Sequence, residues 1–262
     1  MYLAQSEQTA ERLRQMGVAP DRVKMTGNLK FDVRAPQTNR MSRLVQETAA
    51  GRQILVAGST LGGKKDDALS EDEMVIQAWE GTLRAQGVML VLAPRHTDRF
   101  DEVYSVAIEY PTLRATELLE GKEAADGFSV QLRTDERARV EIIVLNTIGD
   151  LASVYSVSSV AFVGGSLVPR GGHNPLEPAQ FGIPVVMGES YENFREIVGA
   201  MKNAAAIRIV TRQELSGALV ELLQDRDSAT AMGQRARKVF EAQSGATKRT
   251  IEVLMKLVGE AR

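Results

Sequence analysis

The stretch Phe162-Val-Gly-Gly-Ser-Leu-Val-Pro-Arg-Gly-Gly-His-Asn-Pro-Leu-Glu-Pro178 decides the fold class of this chain. An apolar strand at 159–163 leads into the glycine loop Gly164-Gly165-Ser166. A second glycine pair then leads to a helix that opens at Asn174 and ends at Gly182. This order is how α/β proteins build an anion site, because bare backbone N–H groups and a helix dipole converge there. The stretch predicts a phosphate- or sugar-binding loop after a parallel strand, with a plain turn as the alternative.

Strands and helices alternate along most of the chain, which indicates a parallel sheet with helices on both faces. We predict strands at residues 22–26, 53–57, 88–93, 140–145, 159–163, 184–187 and 206–210. We predict helices at residues 6–16, 72–86, 98–109, 150–155, 192–202, 212–224, 228–242 and 246–260, and further helices after Asn39 and at Asn174. The predicted fold class is therefore α/β, with a Rossmann-like parallel sheet.

Composition and charge exclude several classes of protein. With 262 residues, 44% hydrophobic and 25% charged, the chain has the composition of an ordinary soluble protein of one large or two small domains. The net charge of -2 gives no overall attraction to nucleic acid. The absence of cysteine excludes disulfides, thiolate metal sites and a cysteine nucleophile. No apolar run is long enough for a membrane span, and the N-terminus lacks the pattern of a signal peptide.

Both histidines of the chain, His96 and His173, lie in loops that follow predicted strands and are flanked by proline or glycine. Next to His96 stands Arg95, and arginine is the planar, permanently charged reader of phosphate groups. His96 fits either a general acid–base or a simple hydrogen-bond donor. The alternative is a surface arginine paired with Asp98 or Asp101.

Glu177 stands three residues after Asn174, and Pro175 occupies the first predicted helical position. This spacing is that of a capping box, in which the glutamate only closes the helix end. A carboxylate at this place in a nucleotide site can also accept hydrogen bonds from ribose hydroxyls. Both interpretations remain open from the spacing alone.

The stretch Gly58-Ser-Thr-Leu-Gly-Gly-Lys-Lys65 nearly matches the phosphate-binding loop of nucleoside triphosphatases. It ends in Lys65 where that loop needs a hydroxyl for Mg²⁺, so we do not expect such an enzyme, although Ser59 and Thr60 remain candidates for ligand contact. A run of acidic residues follows, which we interpret as a solvated loop and helix start, with a metal site as the alternative. Its members are Asp66, Asp67, Glu71, Asp72 and Glu73.

Several motifs occur in a fixed order and together resemble one enzyme family. They are Leu3-Ala-Gln-Ser-Glu7, Thr26-Gly-Asn-Leu-Lys-Phe-Asp32, Gly58-Ser-Thr60, Leu92-Ala-Pro-Arg-His96 and Phe162–Pro178. The chain resembles, over essentially its whole length, the 3-deoxy-D-manno-octulosonic acid (Kdo) transferases of Gram-negative lipid A synthesis. The resemblance implies a GT-B glycosyltransferase that moves Kdo from CMP-Kdo to a lipid A precursor, with inversion and without a metal or other cofactor.

The resemblance also implies roles for individual residues. Arg95 would lie near the CMP phosphate and ribose with His96 beside it, Gly149–Leu151 would face the cytosine, and Glu177 would bind the ribose. Gly165, Ser166 and Asn174 would lie on the phosphate side, and Lys30 would reach the cleft. The donor-binding residues expected are Lys30, Ser59, Arg95, His96, Gly149, Asp150, Leu151, Gly165, Ser166, Asn174 and Glu177.

The family comparison implies a domain organisation and a place in the cell. Residues 1–32 match the tail of a truncated N-terminal acceptor domain, 33–245 a donor-binding domain, and 246–262 a helix that packs back toward the N-terminal domain. We expect the catalytic base, a glutamate of that N-terminal domain, outside this chain, so the isolated chain would be inactive. The family works at the cytoplasmic face of the inner membrane, attached peripherally or anchored through the N-terminal region, whereas this chain by itself should be soluble.

The chain departs from the family pattern at one loop, and the sequence also leaves other functions open. The family carries a histidine and acidic residues directly after Gly-Ser-Thr, where this chain has Leu61-Gly-Gly-Lys-Lys65. A GT-B enzyme that uses a UDP-sugar and a nucleotide-sugar epimerase are the alternative enzymes. A non-catalytic nucleotide-binding remnant is the alternative of another class.

Overall fold

The computed structural model describes residues 1–32, 34–63, 69–120 and 139–260. The chain divides into two compact units. One contains both chain ends, Met1–Arg34 and Lys238–Arg262, and the other is the continuous segment Ala35–Arg237. Residues 238–245, which the sequence analysis assigned to the donor-binding segment, group with the chain ends.

The strands are β1 (Tyr2–Ala4), β2 (Val23–Met25), β3 (Ile54–Thr60), β4 (Met89–Pro94), β5 (Thr112–Arg114), β6 (Ile142–Val144), β7 (Val160–Val163), β8 (Val185–Met187) and β9 (Ile207–Ile209). The helices are α1 (Glu7–Gln15), α2 (Arg40–Ala49), α3 (Glu71–Glu80), α4 (Thr82–Ala85), α5 (Phe100–Ala107), α6 (Ala115–Glu120), α7 (Leu151–Val154), α8 (Leu176–Ala179), α9 (Arg195–Asn203), α10 (Leu215–Gln224), α11 (Arg226–Gln243) and α12 (Ala246–Glu260). The predicted alternation of strands and helices is confirmed.

The larger unit is built on a parallel sheet whose order is β5-β6-β4-β3-β7-β8-β9. The chain leaves β3 toward β4 on one side, and β7 later begins the other side, so the strand order reverses between β3 and β7. The crevice beyond the carboxyl ends of the strands at such a reversal is where open α/β sheets bind ligands. This is the edge at which Thr60 ends β3 and Gly164 follows β7.

The sheet is buried on both faces, which is why its strands are continuous apolar runs. Successive residues of β3 point to opposite faces: Leu55 packs in a core layer with Trp79, and Val56 in another with Met41. All four side chains are at most 1% exposed. The predicted Rossmann-like sheet with helices on both faces is therefore confirmed.

Three elements differ from their prediction. β3 continues to Thr60, three residues beyond its predicted end at 57, so Ser59 belongs to a strand end and not to a free loop. The predicted helix at 72–86 is two helices, because the chain breaks at Gly81. The helix predicted to open at Asn174 is the single turn α8.

The smaller unit has a two-stranded sheet of its own. β1, which was not predicted, pairs in parallel with β2. Ser6 caps α1 as predicted, since its Oγ accepts a 3.2 Å bond from the Thr9 amide. Within the same unit, the Asp32 carboxylate accepts bonds from the amides of Gly245 and Thr247 at the start of α12.

The outer surface of α12 is apolar along one stripe. Its members, Ile251, Leu254, Met255 and Val258, are 48–67% exposed and recur at helical spacing. In the part of the chain that the structure describes, no helix combines the length and the apolar character needed to cross a membrane.

Candidate functional site

Backbone hydrogen bonds connect the carboxyl ends of three central strands, β3, β4 and β7. The Arg95 amide, just beyond β4, donates a 3.0 Å bond to the Thr60 carbonyl at the end of β3. The Gly164 amide, just beyond β7, donates a 2.8 Å bond to the Gly58 carbonyl. The loops that carry the predicted site residues therefore start from fixed positions around the reversal of the strand order.

Ser59, near the end of β3, has a strained backbone conformation. Its φ of 57° lies in the left-handed region, and the register between β3 and β4 shifts between Gly58 and Thr60. A residue other than glycine in this conformation costs about 1–3 kcal/mol, and such strain concentrates at functional sites. Ser59 is 8% exposed, so its side chain has little access to solvent.

The carboxylate of Glu71, at the start of α3, accepts hydrogen bonds from the amides of the first glycine loop. Its carboxylate is fully buried and accepts bonds from the amides of Gly165 (2.6 Å), Ser166 (2.9 Å) and Leu167 (2.9 Å). The structure therefore contradicts the prediction that the N–H groups of Gly165 and Ser166 are free for phosphate, because a carboxylate of the chain already holds them.

Asp72 is the second buried carboxylate of α3. It accepts a 2.5 Å bond from the Thr60 hydroxyl, and its Oδ2 lies 2.8 Å from Nη2 of Arg99. Burial raises the pKa of Asp72, and the Arg99 charge opposes that rise.

The helix start predicted for the acidic run is confirmed, but its predicted solvation is wrong for Glu71 and Asp72, which are both 0% exposed. Asp66 and Asp67 lie outside the described residues. Within the described ranges, no group of three or more acidic, cysteine or histidine side chains is arranged to hold a metal ion.

Four titratable side chains lie near one another around the end of β4 and the second glycine pair. They are Arg95, His96, His173 and Glu177. Burial is the largest cause that lowers the pKa of His173 to about 4, and the charges of Arg95 and His96 lower it further. Burial raises the pKa of Glu177, and Arg95 opposes that rise. The structure thus brings the predicted residues Arg95, His96 and Glu177 together, and it adds His173, which is neutral at pH 7.

The ring of His173 is fixed on the first glycine loop. The amides of Gly172 and His173 donate bonds of 2.8 Å and 3.1 Å to the carbonyls of Gly165 and Gly164. A Cβ at Gly165 would lie 2.9 Å from Cδ2 of His173, so the glycine is required for the ring to pack there. The buried Nε2 of His173 has no hydrogen-bond partner among the described residues. Two histidines in such loops were noted in the sequence, but only His96 was assigned to the site.

The predicted capping box of Asn174 and Glu177 does not form. Asn174 Oδ1 accepts a 3.1 Å bond from the amide of Leu176, and α8 begins after Pro175 without a side-chain cap. The Glu177 side chain instead lies within electrostatic range of Arg95 and of the buried hydroxyl of Tyr155. A helix of one turn also has little dipole to offer an anion, so the predicted contribution of the Asn174 helix dipole is not supported.

The turn Gly149–Leu151 lies beside the same strand ends. The Asp150 carboxylate accepts bonds from Asn39 Nδ2 (2.7 Å) and Thr147 Oγ1 (2.6 Å), and Gly149 has a φ of 88°. A methyl group of Leu151 lies close to Gly58. Asp150 therefore holds the turn in place, and its backbone remains the predicted contact surface.

A cavity of about 630 Å³ adjoins His96. Its charged lining includes Arg99 and Arg170, with Glu73 and Glu102. Arg170 was not predicted as a site residue, because no sequence pattern marks it. Lys30 belongs to the smaller unit, in the turn Leu29–Asp32, and its side chain lies outside the described part of the structure.

Two family profiles match the chain. The profile described as "3-Deoxy-D-manno-octulosonic-acid transferase (kdotransferase)" matches residues 1–33. The profile "Glycosyl transferases group 1" matches residues 129–239. The second match contains the glycine loops, His173 and Glu177.

Curated relatives match almost the whole chain. It is 29% identical over 259 residues to the 3-deoxy-D-manno-octulosonic acid transferase of Haemophilus influenzae, a match over 97% of this chain and 56% of the relative. It is 30% identical over 263 residues to the enzyme of the same name from Bordetella pertussis, over 98% of this chain and 56% of the relative. The chain therefore spans little more than half the length of these relatives.

Solved structures share the fold. The chain is 26% identical to the C-terminal CMP-Kdo binding domain of WaaA from Acinetobacter baumannii, with a TM-score of 0.60 over 76% of this chain and 96% of that domain. Anabaena HepE in complex with UDP and glucose is 15% identical, with a TM-score of 0.56 over 98% of this chain and 62% of that one, and shows the fold alone. The predicted α/β fold of the GT-B type is confirmed.

Proposed function

Because the chain is a homologue of the 3-deoxy-D-manno-octulosonic acid transferases, we propose that it binds CMP-Kdo as the donor-binding part of a glycosyltransferase of lipopolysaccharide synthesis. The observation that carries the proposal is the similarity to a CMP-Kdo binding domain, which extends over 96% of that domain. The cluster of Arg95, His96, His173 and Glu177 lies at the crevice where this fold binds ligands.

The phosphate of CMP would be bound by side chains and not by the first glycine loop, whose amides Glu71 holds. Arg95 is exposed at the end of β4 and presents the planar donors that match phosphate oxygens. The neutral ring of His173 packs on Gly165 and supports the loops beside Arg95.

The nucleoside would lie between Glu177 and the turn Gly149–Leu151. Glu177, whose pKa is raised by burial and lowered by the charge of Arg95, would accept hydrogen bonds from the ribose hydroxyls. The backbone of Gly149, which Asp150 holds in place, would face the cytosine.

In the proposed reaction, an acceptor hydroxyl of a lipid A precursor loses its proton to a general base and attacks the anomeric carbon of Kdo. The bond from that carbon to the CMP phosphate oxygen breaks, and CMP leaves with the electron pair, so the configuration inverts. Arg95 would stabilise the charge that develops on the phosphate, which is often the largest contribution to such catalysis. The base would be a glutamate outside this chain, and the reaction would take place at the cytoplasmic face of the inner membrane.

Calorimetric titration of the purified chain with CMP tests the proposal, with UMP and ATP as competing nucleotides. We expect selective CMP binding that is lost in Glu177→Ala. Glu221→Ala is the matched control, because this exposed glutamate of the same unit pairs only with Arg208 in the contacts described. Equal binding of CMP and UMP, or no binding by a folded chain, would overturn the assignment of the donor.

A further inference from the structure

Glu71 is a fully buried carboxylate whose two oxygens are saturated by backbone amides. Oε2 accepts bonds from Leu61 (2.9 Å) and Gly165 (2.6 Å). Oε1 accepts bonds from Ser166 and Leu167, both at 2.9 Å. This is the geometry with which a nest of successive amides binds an anion, and here the chain itself supplies the anion.

No salt bridge joins Glu71 to a basic side chain in the part of the chain that the structure describes. Burial raises the pKa of Glu71, and the amides of Gly165, Leu167, Leu61 and Ser166 oppose that rise. A buried charge without a counterion persists only where dipoles replace its hydration, so the position of the carboxylate and the position of the amides depend on each other.

The amides that bind Glu71 come from the ends of two strands. Leu61 follows β3, and residues 165–167 follow β7. The contact with Leu61 is reciprocal, because the Glu71 amide donates a 3.0 Å bond to the Leu61 carbonyl. Glu71 therefore ties the start of α3 to both loops at the reversal of the strand order.

The loop that Glu71 holds is also the support of His173. The carbonyls of Gly164 and Gly165 accept the amide bonds of His173 and Gly172, and the His173 ring packs on Gly165. A shift of the loop would therefore move the imidazole and the side chains that share its surroundings. A single peptide segment, the first glycine loop, therefore connects Glu71 to His173.

We propose that Glu71 is a positioning residue for the donor: an internal anion that fixes the first glycine loop and, through it, the His173 ring and the neighbouring side chains that face the bound nucleotide. This inference rests on the proposed function, because it concerns the same site. It assigns the amide nest to the chain's own carboxylate and leaves the donor phosphate to side chains such as Arg95.

The test compares Glu71→Ala and Glu71→Gln with the unaltered chain in calorimetric titrations with CMP. We expect both variants to weaken CMP binding at least about tenfold, since each loses hydrogen bonds to a charged group. The alanine variant lacks the atoms of one acetate ion, so sodium acetate should restore its affinity, whereas sodium chloride at the same ionic strength should not. Val75→Ala, which truncates a buried side chain of the same helix, is the control for lost stability alone.

Amide hydrogen exchange at Gly165, Ser166 and Leu167 provides a readout that does not depend on CMP. We expect fast exchange in Glu71→Ala and renewed protection in acetate. Affinity for CMP that is unchanged or higher in Glu71→Ala, or acetate that protects nothing, would overturn the inference. If the unaltered chain does not bind CMP, the proposed function fails, and the exchange data alone then confirm or reject the internal anion.

Discussion

The hydroxyl of Tyr155 fills the space that a side chain on Gly58 would need. A Cβ built on Gly58 overlaps the phenol oxygen and lies 2.7 Å from Cζ of the same ring. Tyr155 is 1% exposed, and burial and the charge of Glu177 raise its pKa well above the usual value. Gly58 is the first glycine of a near match to a phosphate-binding loop, but its role is to make room for this ring.

Substitution of Gly58 tests that relationship. We expect Gly58→Ala to lower the free energy of unfolding by about 1–3 kcal/mol, as overpacking of a core does. Adding Tyr155→Phe to the same chain should recover part of the loss, because it removes the closest overlapping atom. Gly199→Ala, on a helix where a Cβ meets no atom within 4 Å, should be neutral or stabilising. Urea denaturation measures all three, and equal effects of Gly58→Ala and Gly199→Ala would contradict the packing argument.

Arg95 should influence both the ligand and the neighbouring histidine. We expect Arg95→Ala to weaken CMP binding by about 1.5–3 kcal/mol, the range for hydrogen bonds to charged groups. The pKa of His173 should rise from its value of about 4, because Arg95 is the largest charge that lowers it. NMR titration of the imidazole and calorimetry measure the two effects. Arg212→Ala, an exposed arginine bonded to Gln77, should change neither. Unchanged CMP affinity in Arg95→Ala would remove Arg95 from the site.

His173 should make stability fall in mild acid. Its folded pKa is about 4 and its usual value is 6.5, so between these values the unfolded chain binds a proton that the folded chain does not. The stability that depends on His173 is complete above about pH 6.5 and is lost as the pH falls toward 4. We expect a loss of about 1–2 kcal/mol, below that of a fully buried group, because solvent screens the ring in part.

The raised pKa values of Glu71, Asp72 and Glu177 make stability rise as the pH falls, which is opposite to the effect of His173. The test therefore measures the difference in unfolding free energy between two variants of the chain. Unfolding free energies of the unaltered chain and of His173→Gln are compared from pH 7 to pH 4.5. The gap between the two should close with acid, and His96→Gln should keep most of the pH dependence. A constant gap would show that His173 titrates normally in the folded chain.

The buried ion pair of Arg99 and Asp72 should stabilise the fold far more than an exposed ion pair with the same N–O distance. Arg99→Met leaves Asp72 as an unpaired buried charge, so we expect a loss of about 3–5 kcal/mol. The double variant with Asp72→Asn should be less destabilised than Arg99→Met alone. Arg208 and Glu221 also lie 2.8 Å apart, but their side chains are 52% and 62% exposed. Arg208→Met should therefore cost at most about 1 kcal/mol in thermal or urea unfolding.

The sequence predicted those features that depend on neighbouring residues. The apolar runs fixed the parallel strands, and Ser6 marked the start of α1. Arg95 and His96 were located because a strand followed by proline places its next residues at the binding edge of the sheet. The glycines of the 164–172 stretch correctly indicated unusual backbone, since several have positive φ values.

The features that depend on distant partners could not be predicted. Glu71 lies 94 residues before the Gly165 amide that it binds, and in the sequence it looks like any acid at a helix start. Glu177 had the spacing of a cap, but the charge of Arg95 and the short length of α8 give it another environment. Local patterns describe which bonds a residue can make, and the assembled sheet decides which of them it makes.

The smaller unit contains both ends of the chain, and this affects the order in which the protein can fold during synthesis. Residues 1–34 leave the ribosome before the larger unit, but Gly245 and Thr247, whose amides donate hydrogen bonds to Asp32, follow more than 200 residues later. The continuous segment 35–237 can assemble its sheet in the meantime. The hydrogen bonds of Asp32 to the start of α12 can therefore form only after the whole larger unit has been synthesised.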